Sequence, residues 1–315
     1  MALVAEAKPL DLKSQMRAFI GRHTDKSFDW DAFPGSLGFP ELERAQMRYI
    51  GAGGSPKADD PSTLQPGQFS LSLVHQPLGK YAACHSHEVV EHFLVLSGVL
   101  TVGWAWGDEV IEARLGPKDM VLNQAGRPHG FRNDGVEPVL MSISVGSGMP
   151  RPPVYICHPR EGDPALARRF GASPGKTHTF DPHSDDPRQR EFARHVVRYA
   201  ERRPIWEADV ARSVYIGEGG APPGRYLMDL IHLPKGVAVR GYVRPVEDVF
   251  FVLKGCITVG WEDAGHIVEE SLGSKDVIFN PAGRFHYFRN DGAADADFMM
   301  LVGTAAAEDI RFHKA

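Results

Sequence analysis

The sequence predicts an all-β chain built from two tandem copies of one antiparallel domain, with short flanking helices. Three observations carry this. The first is an internal repeat: LVHQPLG (73–79) returns as LIHLPKG (230–236), and LVLSGVLTVGW (94–104) returns as FVLKGCITVGW (251–261). LGPKDMVLNQAGRPHGFRNDG (115–135) returns as LGSKDVIFNPAGRFHYFRNDG (272–292), always at an offset of 157 residues and with no gap from Val74 to Gly135. A fixed period of that length marks a duplicated unit. The second is composition, since 33 Gly and 24 Pro among 315 residues give a turn-dense chain. The third is pattern: short alternating apolar runs are broken by Gly, Pro and an Asn-Asp-Gly turn after Phe131 and Phe288.

Taken in order, the chain opens with a helix whose apolar residues Leu12, Met16, Phe19 and Ile20 share one face. RYIGAGG (48–54) matches VYIGEGG (214–220), so the likeness reaches upstream of the main repeat. The second copy has its own lead-in helix, with Asp186 as cap, Pro187 at the first turn, and Phe192, Val196 and Tyr199 as the stripe. A Trp follows each helix, Trp30 and Trp206. Residues 146–186, rich in Gly, Pro and charge, read as a linker laid over the surface. The expected division is 1–145 with its metal-bearing part at about 70–145, a linker 146–186, and a second domain 187–315.

Composition excludes several function classes. With 35 basic against 40 acidic side chains and a net charge of −5, the chain lacks the basic face that nucleic acid demands. No apolar run approaches a membrane span, and MALVAEAKPLDLK shows no secretory leader. Three scattered cysteines, Cys84, Cys157 and Cys256, form no disulfide framework, so a cytoplasmic location is expected. GAGGSPKADD (51–60) is Gly-rich but lacks the GK[ST] of a phosphate loop.

The chemistry concentrates in the first copy. His85 and His87, two residues apart on a strand, point to the same side, and Glu91 keeps that parity if the strand resumes in register. His129 follows some forty residues later in AGRPHGFRN. A lone His is usually an ordinary core or surface residue. Three imidazoles and a carboxylate inside a matching β framework instead suit a first-row divalent ion with positions left open. In the second copy the same positions hold Tyr242, Arg244, Asp248 and His286. One metal per chain, in the first copy, is expected.

These residues resemble the cupins. The motif G-x5-H-x-H-x3-E-x6-G is matched by Gly79, His85, His87, Glu91 and Gly98. The second motif is matched by Gly116, Gly126, His129 and Asn133, with Gln124 in place of its proline and two extra residues after Gly116. The second copy keeps Pro281, Gly283, His286 and Asn290. The resemblance covers both halves and implies a bicupin: two tandem double-stranded β-helix (jelly-roll) barrels. It further implies a metal-dependent enzyme, with an Fe(II) dioxygenase acting on a small phenolic, enolic or carboxylated aromatic compound as the preferred reading. Ni, Mn or Zn are the other metals such sites take, and Glu91 is the candidate catalytic residue, as ligand or as general base. Gentisate-type ring-cleaving bicupins lack the motif glutamate, and oxalate decarboxylases keep both metal sites, so the chain departs from each. A non-oxidative isomerase or lyase, or a non-catalytic binding bicupin, is the alternative. A small-molecule substrate and a homodimer or higher homo-oligomer are the expected partners.

By strand parity, Tyr81, Trp104, Trp106 and Phe131 are candidates for the substrate pocket. Trp104 and Phe131 recur as Trp261 and Phe288, which equally suits a core role. Arg127 and Arg132 can bind a carboxylate, but they recur as Arg284 and Arg289 and read as structural ion pairs. Cys84 is expected to face away from the ligands, His92 has the wrong parity, and His75 recurs as His232. Arg244 and Asp248 are expected to pair where the second copy lost its metal, with Tyr242 filling the space.

Overall fold

The structure, a computed structural model, describes residues 11–53, 60–306 and 311–315. The first ten residues and most of the Gly-rich 51–60 segment lie outside them. The repeat becomes two barrels in which seven strands of the first recur in the second. Ser70–Gln76, Glu91–Ser97, Leu100–Trp106, Glu109–Leu115, Met120–Asn123, His129–Arg132 and Val139–Val145 return, each 157 residues later, in the second copy. The first barrel closes from two six-stranded sheets. One runs, by residue number, 196–197, 120–123, 91–97, 139–145, 70–76, 45–50, and the other 154–157, 81–86, 129–132, 100–106, 109–115, 177–179. The second barrel has a seven-stranded and a three-stranded sheet. Its counterpart of Tyr81–Ser86 survives only as isolated bridges such as Tyr242 to His286.

Three apolar clusters hold this together. One fills the first barrel around Phe93, Val102 and Trp104, and one fills the second around Phe250, Val259 and Trp261. A third lies between the barrels, where Met47, Tyr49 and Leu73 meet Tyr215, Phe251 and Met299. Burying each such side chain contributes roughly 1.5–3 kcal/mol, so the contact between barrels rivals either interior. No helix among the described residues is long and apolar enough to cross a membrane.

Both lead-in helices form, and both are short. The first, α1, spans Leu12–Arg17 and is capped by Asp11. Asp163 caps the five-residue α2, Pro164–Arg168. Asp186 caps α3, Pro187–Ala193. The sequence assigns each lead-in helix to the domain that follows it, and the structure assigns it to the other. Met16 of α1 is buried in the second barrel's core, and Ile20–Gly21 pair with Ile278 and Val277. Phe192 of α3 is buried in the first barrel's core, and Val196–Val197 pair with Val121 and Met120. Adjacency in sequence carries no information on this exchange, because the two copies offer near-identical docking edges. The segment 146–186 is likewise more than a connector: Val154–Cys157 pair with the strand bearing His85, and Thr177–Thr179 extend the same sheet.

Candidate metal centre

His85 and His129 face each other as register partners on adjacent strands, and Glu91 begins the next inward strand opposite Asn123. The ligand atoms of His85, His87, Glu91 and His129 all lie within 4.8 Å of one another, and all four residues are buried. Ligands on opposite sides of an ion at about 2.1 Å stand about 4.2 Å apart, so the four need only small inward shifts to close on it. His129 Nε2 is 3.0 Å and His87 Nε2 is 3.5 Å from Glu91 Oε2.

Hydrogen bonds outside the cluster fix how the rings are turned. His85 Nδ1–H donates to the Ala83 carbonyl at 2.7 Å, and His129 Nδ1–H to the Arg127 carbonyl at 2.8 Å. Each ring therefore presents Nε2 inward, as ligating histidines do. Burial, and then the neighbouring rings of His129 and His87, push His85 well below the usual histidine range. His87 is also lowered, chiefly by burial. Burial alone raises the Glu91 carboxyl; His87 and then His129 outweigh it and hold it below its ordinary value. Three imidazoles gathered around one carboxylate, all buried, make a metal-binding donor set. It fits a divalent transition ion.

Above the cluster opens a cavity of about 120 Å³, walled by Phe33, Phe131, Ile143 and the Pro152-Pro153 turn, with Arg44, Gln46 and Tyr155 among its polar groups. Of the four pocket candidates read from the sequence, only Phe131 is in this wall. Tyr81 is not, because a register shift between Ala82 and His85 breaks the parity that linked it to the ligands. It packs outside, against Leu42, Ala83 and Ala167. Trp104 shares the barrel interior, but its Nε1–H donates to Asn123 Oδ1 at 2.8 Å and its ring stacks on Phe192. Trp261 repeats that bond to Asn280, so this is core architecture. Trp106 lies under the Arg127 guanidinium at 4.8 Å.

The remaining residues fall into structural places. Arg127 pairs with Glu191 at 2.8 Å and Arg132 with Glu112 at 2.6 Å. Cys84 points away from the ligands into a cluster with Phe170, and burial pushes its thiol up to about 12. His92 Nδ1–H donates to the Tyr226 hydroxyl, which donates to the Ser144 carbonyl, joining the two barrels. His75 packs against Phe28 and Trp30. Sequence reading missed Arg44, Gln46 and Tyr155. The alternation Arg44, Gln46, Arg48 against Ala45, Met47, Tyr49 is legible, but such a polar face is normally given to water. Here the apolar face is taken by the other barrel.

Residues 72–146 match the family model described as a cupin domain. No curated protein matches the chain. Among solved structures, oxalate decarboxylase from Bacillus subtilis at pH 4.6 superposes with a TM-score of 0.64 at 14% identity, covering 93% of this chain and 78% of that one. A structure of that enzyme described for its Mn(II) centres gives 0.64 at 13% identity, covering 98% and 87%. Identity this low speaks for the fold. Residues 72–146 are thus similar to a cupin domain, and the two barrels together share the fold of these structures.

Proposed function

We propose that the protein is a metal-dependent cupin enzyme, an Fe(II) dioxygenase acting on a small phenolic, enolic or carboxylated aromatic compound. The carrying observation is that the His85–His87–Glu91–His129 cluster lies at the base of an apolar-walled cavity with few polar groups. Those four residues would hold the ion, which when bound supplies Lewis-acid and one-electron chemistry between substrate and dioxygen. Phe33, Phe131 and Ile143 match a planar substrate and exclude bulk water, which strengthens every charge interaction inside. Glu91 would either stay on the ion or swing off it to take the proton of the substrate hydroxyl: its carboxyl is held below its ordinary value and faces the same space.

A second reading is a non-oxidative lyase or isomerase with Mn(II). It is favoured by the superposition on oxalate decarboxylase and its Mn(II) centres. The single complete ligand set and the apolar walls weigh toward the first reading. Oxygen uptake decides between them: apo protein is loaded with Fe(II) or Mn(II) and assayed against phenols, ortho-hydroxy aromatic acids, β-diketones and oxalate. Oxygen consumption with Fe(II) supports the dioxygenase. Carbon dioxide release from an acid without net oxygen uptake moves the assignment to the lyase. A homodimer completes the proposal, and light scattering reads it directly.

A further inference from the structure

We propose that Arg44 and Gln46 are specificity residues of this cavity, Arg44 anchoring a substrate carboxylate and Gln46 contacting the polar group beside it. The inference rests on reading the cavity as a substrate site and names the class of substrate it selects: a small aromatic acid.

Arg44 is 7% and Gln46 1% exposed, and both line the cavity. Arg44 immediately precedes the strand Ala45–Ile50 that carries Gln46, and both side chains reach the same cavity. The Arg44 guanidinium lies 4.1 Å from the Phe33 ring centroid and 6.0 Å from that of Phe131, so its plane is held between two walls. Its Nη1 donates to Ser36 Oγ at 2.9 Å and to the Leu42 carbonyl at 3.0 Å. These neutral contacts orient the fork without neutralising it. The other arginines considered above, Arg127 and Arg132, each reach a carboxylate within 2.8 Å; Arg44 reaches none among the described residues. A buried guanidinium is costly unless an anion completes it. Glu91 is its nearby negative charge. A divalent ion on Glu91 and three neutral imidazoles already carries one net positive charge, and Arg44 adds a second. The loaded cavity is therefore an anion site.

Gln46 supplies the second contact. Its Nε2 donates to Ser72 Oγ at 3.1 Å, while its buried Oε1 has no partner. A buried, unpartnered acceptor on a residue of the cavity wall suits a hydroxyl or amine of the ligand.

Comparison of the two copies sharpens the assignment. Ala45 pairs with His75 and Ala211 with His232, so Arg44 corresponds to Val210 and Gln46 to Arg212. Val210 is fully buried in the second barrel's apolar core. The cation before this strand stands in the copy that has the metal cluster, and an aliphatic side chain stands in the copy that lacks it.

Calorimetric titration of Zn(II)-loaded protein tests this without turnover, using salicylate, its neutral isostere salicylamide, and benzoate. Wild type should prefer salicylate over salicylamide, and Arg44→Gln should weaken salicylate by roughly 30-fold or more and abolish the preference. Arg44→Lys keeps the charge but loses the fork, and should fall between. Gln46→Leu should weaken salicylate while leaving benzoate unchanged. Equal binding of acid and amide by wild type, or an Arg44→Gln protein that keeps the preference, overturns the anchor. The wild-type comparison decides even if Arg44→Gln fails to fold. Acid-selective binding without oxygen uptake leaves the anchor standing and removes the dioxygenase reading; oxygen uptake without acid selectivity does the reverse.

Discussion

Arg244 Nε donates to Asp248 Oδ2 at 2.9 Å in the second barrel, at the positions where His87 and Glu91 stand 3.5 Å apart in the first. The same oxygen is met by His286 Nε2 at 3.1 Å and by the Tyr242 hydroxyl at 3.4 Å. A guanidinium has taken the place of an ion: the carboxylate stays buried and its countercharge is now covalent. This is the arrangement expected from the aligned copies. The side chain that replaces a ligand must neutralise the carboxylate that remains.

Removing the cation should therefore expose the cost of the anion. Arg244→Met should destabilise the protein by roughly 3–5 kcal/mol, because Asp248 is left ionised in an apolar barrel. Arg244→Met with Asp248→Leu should recover most of that loss. Urea unfolding of the two variants measures the difference. A double variant no more stable than the single one would show that the pair is not the cause.

Metal should bind once per chain, in the first barrel. His85→Ala and His129→Ala should each strip the ion, since removal of one of four ligands leaves a poor cage. Glu91→Gln should weaken retention less, because three imidazoles remain. Protons compete for the same nitrogens, but burial lowers His85 and His87 and the ion competes with the proton, so retention should be lost on the acid side, below the ~6.5 of free imidazole. Elemental analysis after dialysis gives the stoichiometry. Two equivalents in wild type, or one retained in the His85→Ala/His129→Ala double variant, would place metal elsewhere.

Much of this was legible in the sequence because duplication makes each copy a control for the other. His85, His87, Glu91 and His129 stood out against Tyr242, Arg244, Asp248 and His286, and geometry then brought them together. Strand parity served where strands are regular and failed at Tyr81, where a register shift intervenes. The cavity wall was not legible. Arg44 and Tyr155 come from outside the repeated core, one just before the strand Ala45–Ile50 and the other on the strand Val154–Cys157, which pairs beside His85. The exchange of α1 and α3 between barrels was hidden for a related reason, since equal docking edges leave the choice to chain geometry.

The second barrel carries a separate pH response. Burial raises the Asp229 carboxyl to about 6, against which its 3.3 Å contact with Arg212 is insufficient. The folded value lies above the unfolded value of ~3.9, so the folded state binds the proton more tightly. The contribution is fully present below pH ~4 and is lost as pH rises through about 6, for a total of about 3 kcal/mol. Asp229→Asn should flatten the stability profile across that window. The comparison belongs in a His85→Ala background, where metal loss does not overlap it. An unchanged slope between pH 4 and pH 6 would exclude Asp229 as its source.

The cavity's two walls are fitted to each other at Gly35 and Tyr155. Gly35 lies in the short turn Pro34–Ser36, and Tyr155 on the strand beside His85. A Cβ on Gly35 would fall well inside van der Waals contact of the Tyr155 hydroxyl, and next against Cζ at 2.9 Å. His158 Nε2–H donates to the Gly35 carbonyl at 2.8 Å, so the turn cannot simply swing away. Tyr155 and Arg44 line the same cavity. Gly35→Ala should therefore overpack the wall and cost roughly 1–3 kcal/mol. Tyr155→Phe removes the clashing oxygen. Combined, the two changes should cost less than their sum, since the second relieves the clash made by the first. Recovery should be partial, because Cζ remains close. A double-mutant cycle by urea unfolding reads this coupling. Strict additivity would mean that the turn relaxes away from Tyr155, and that the cavity wall is not held by this contact.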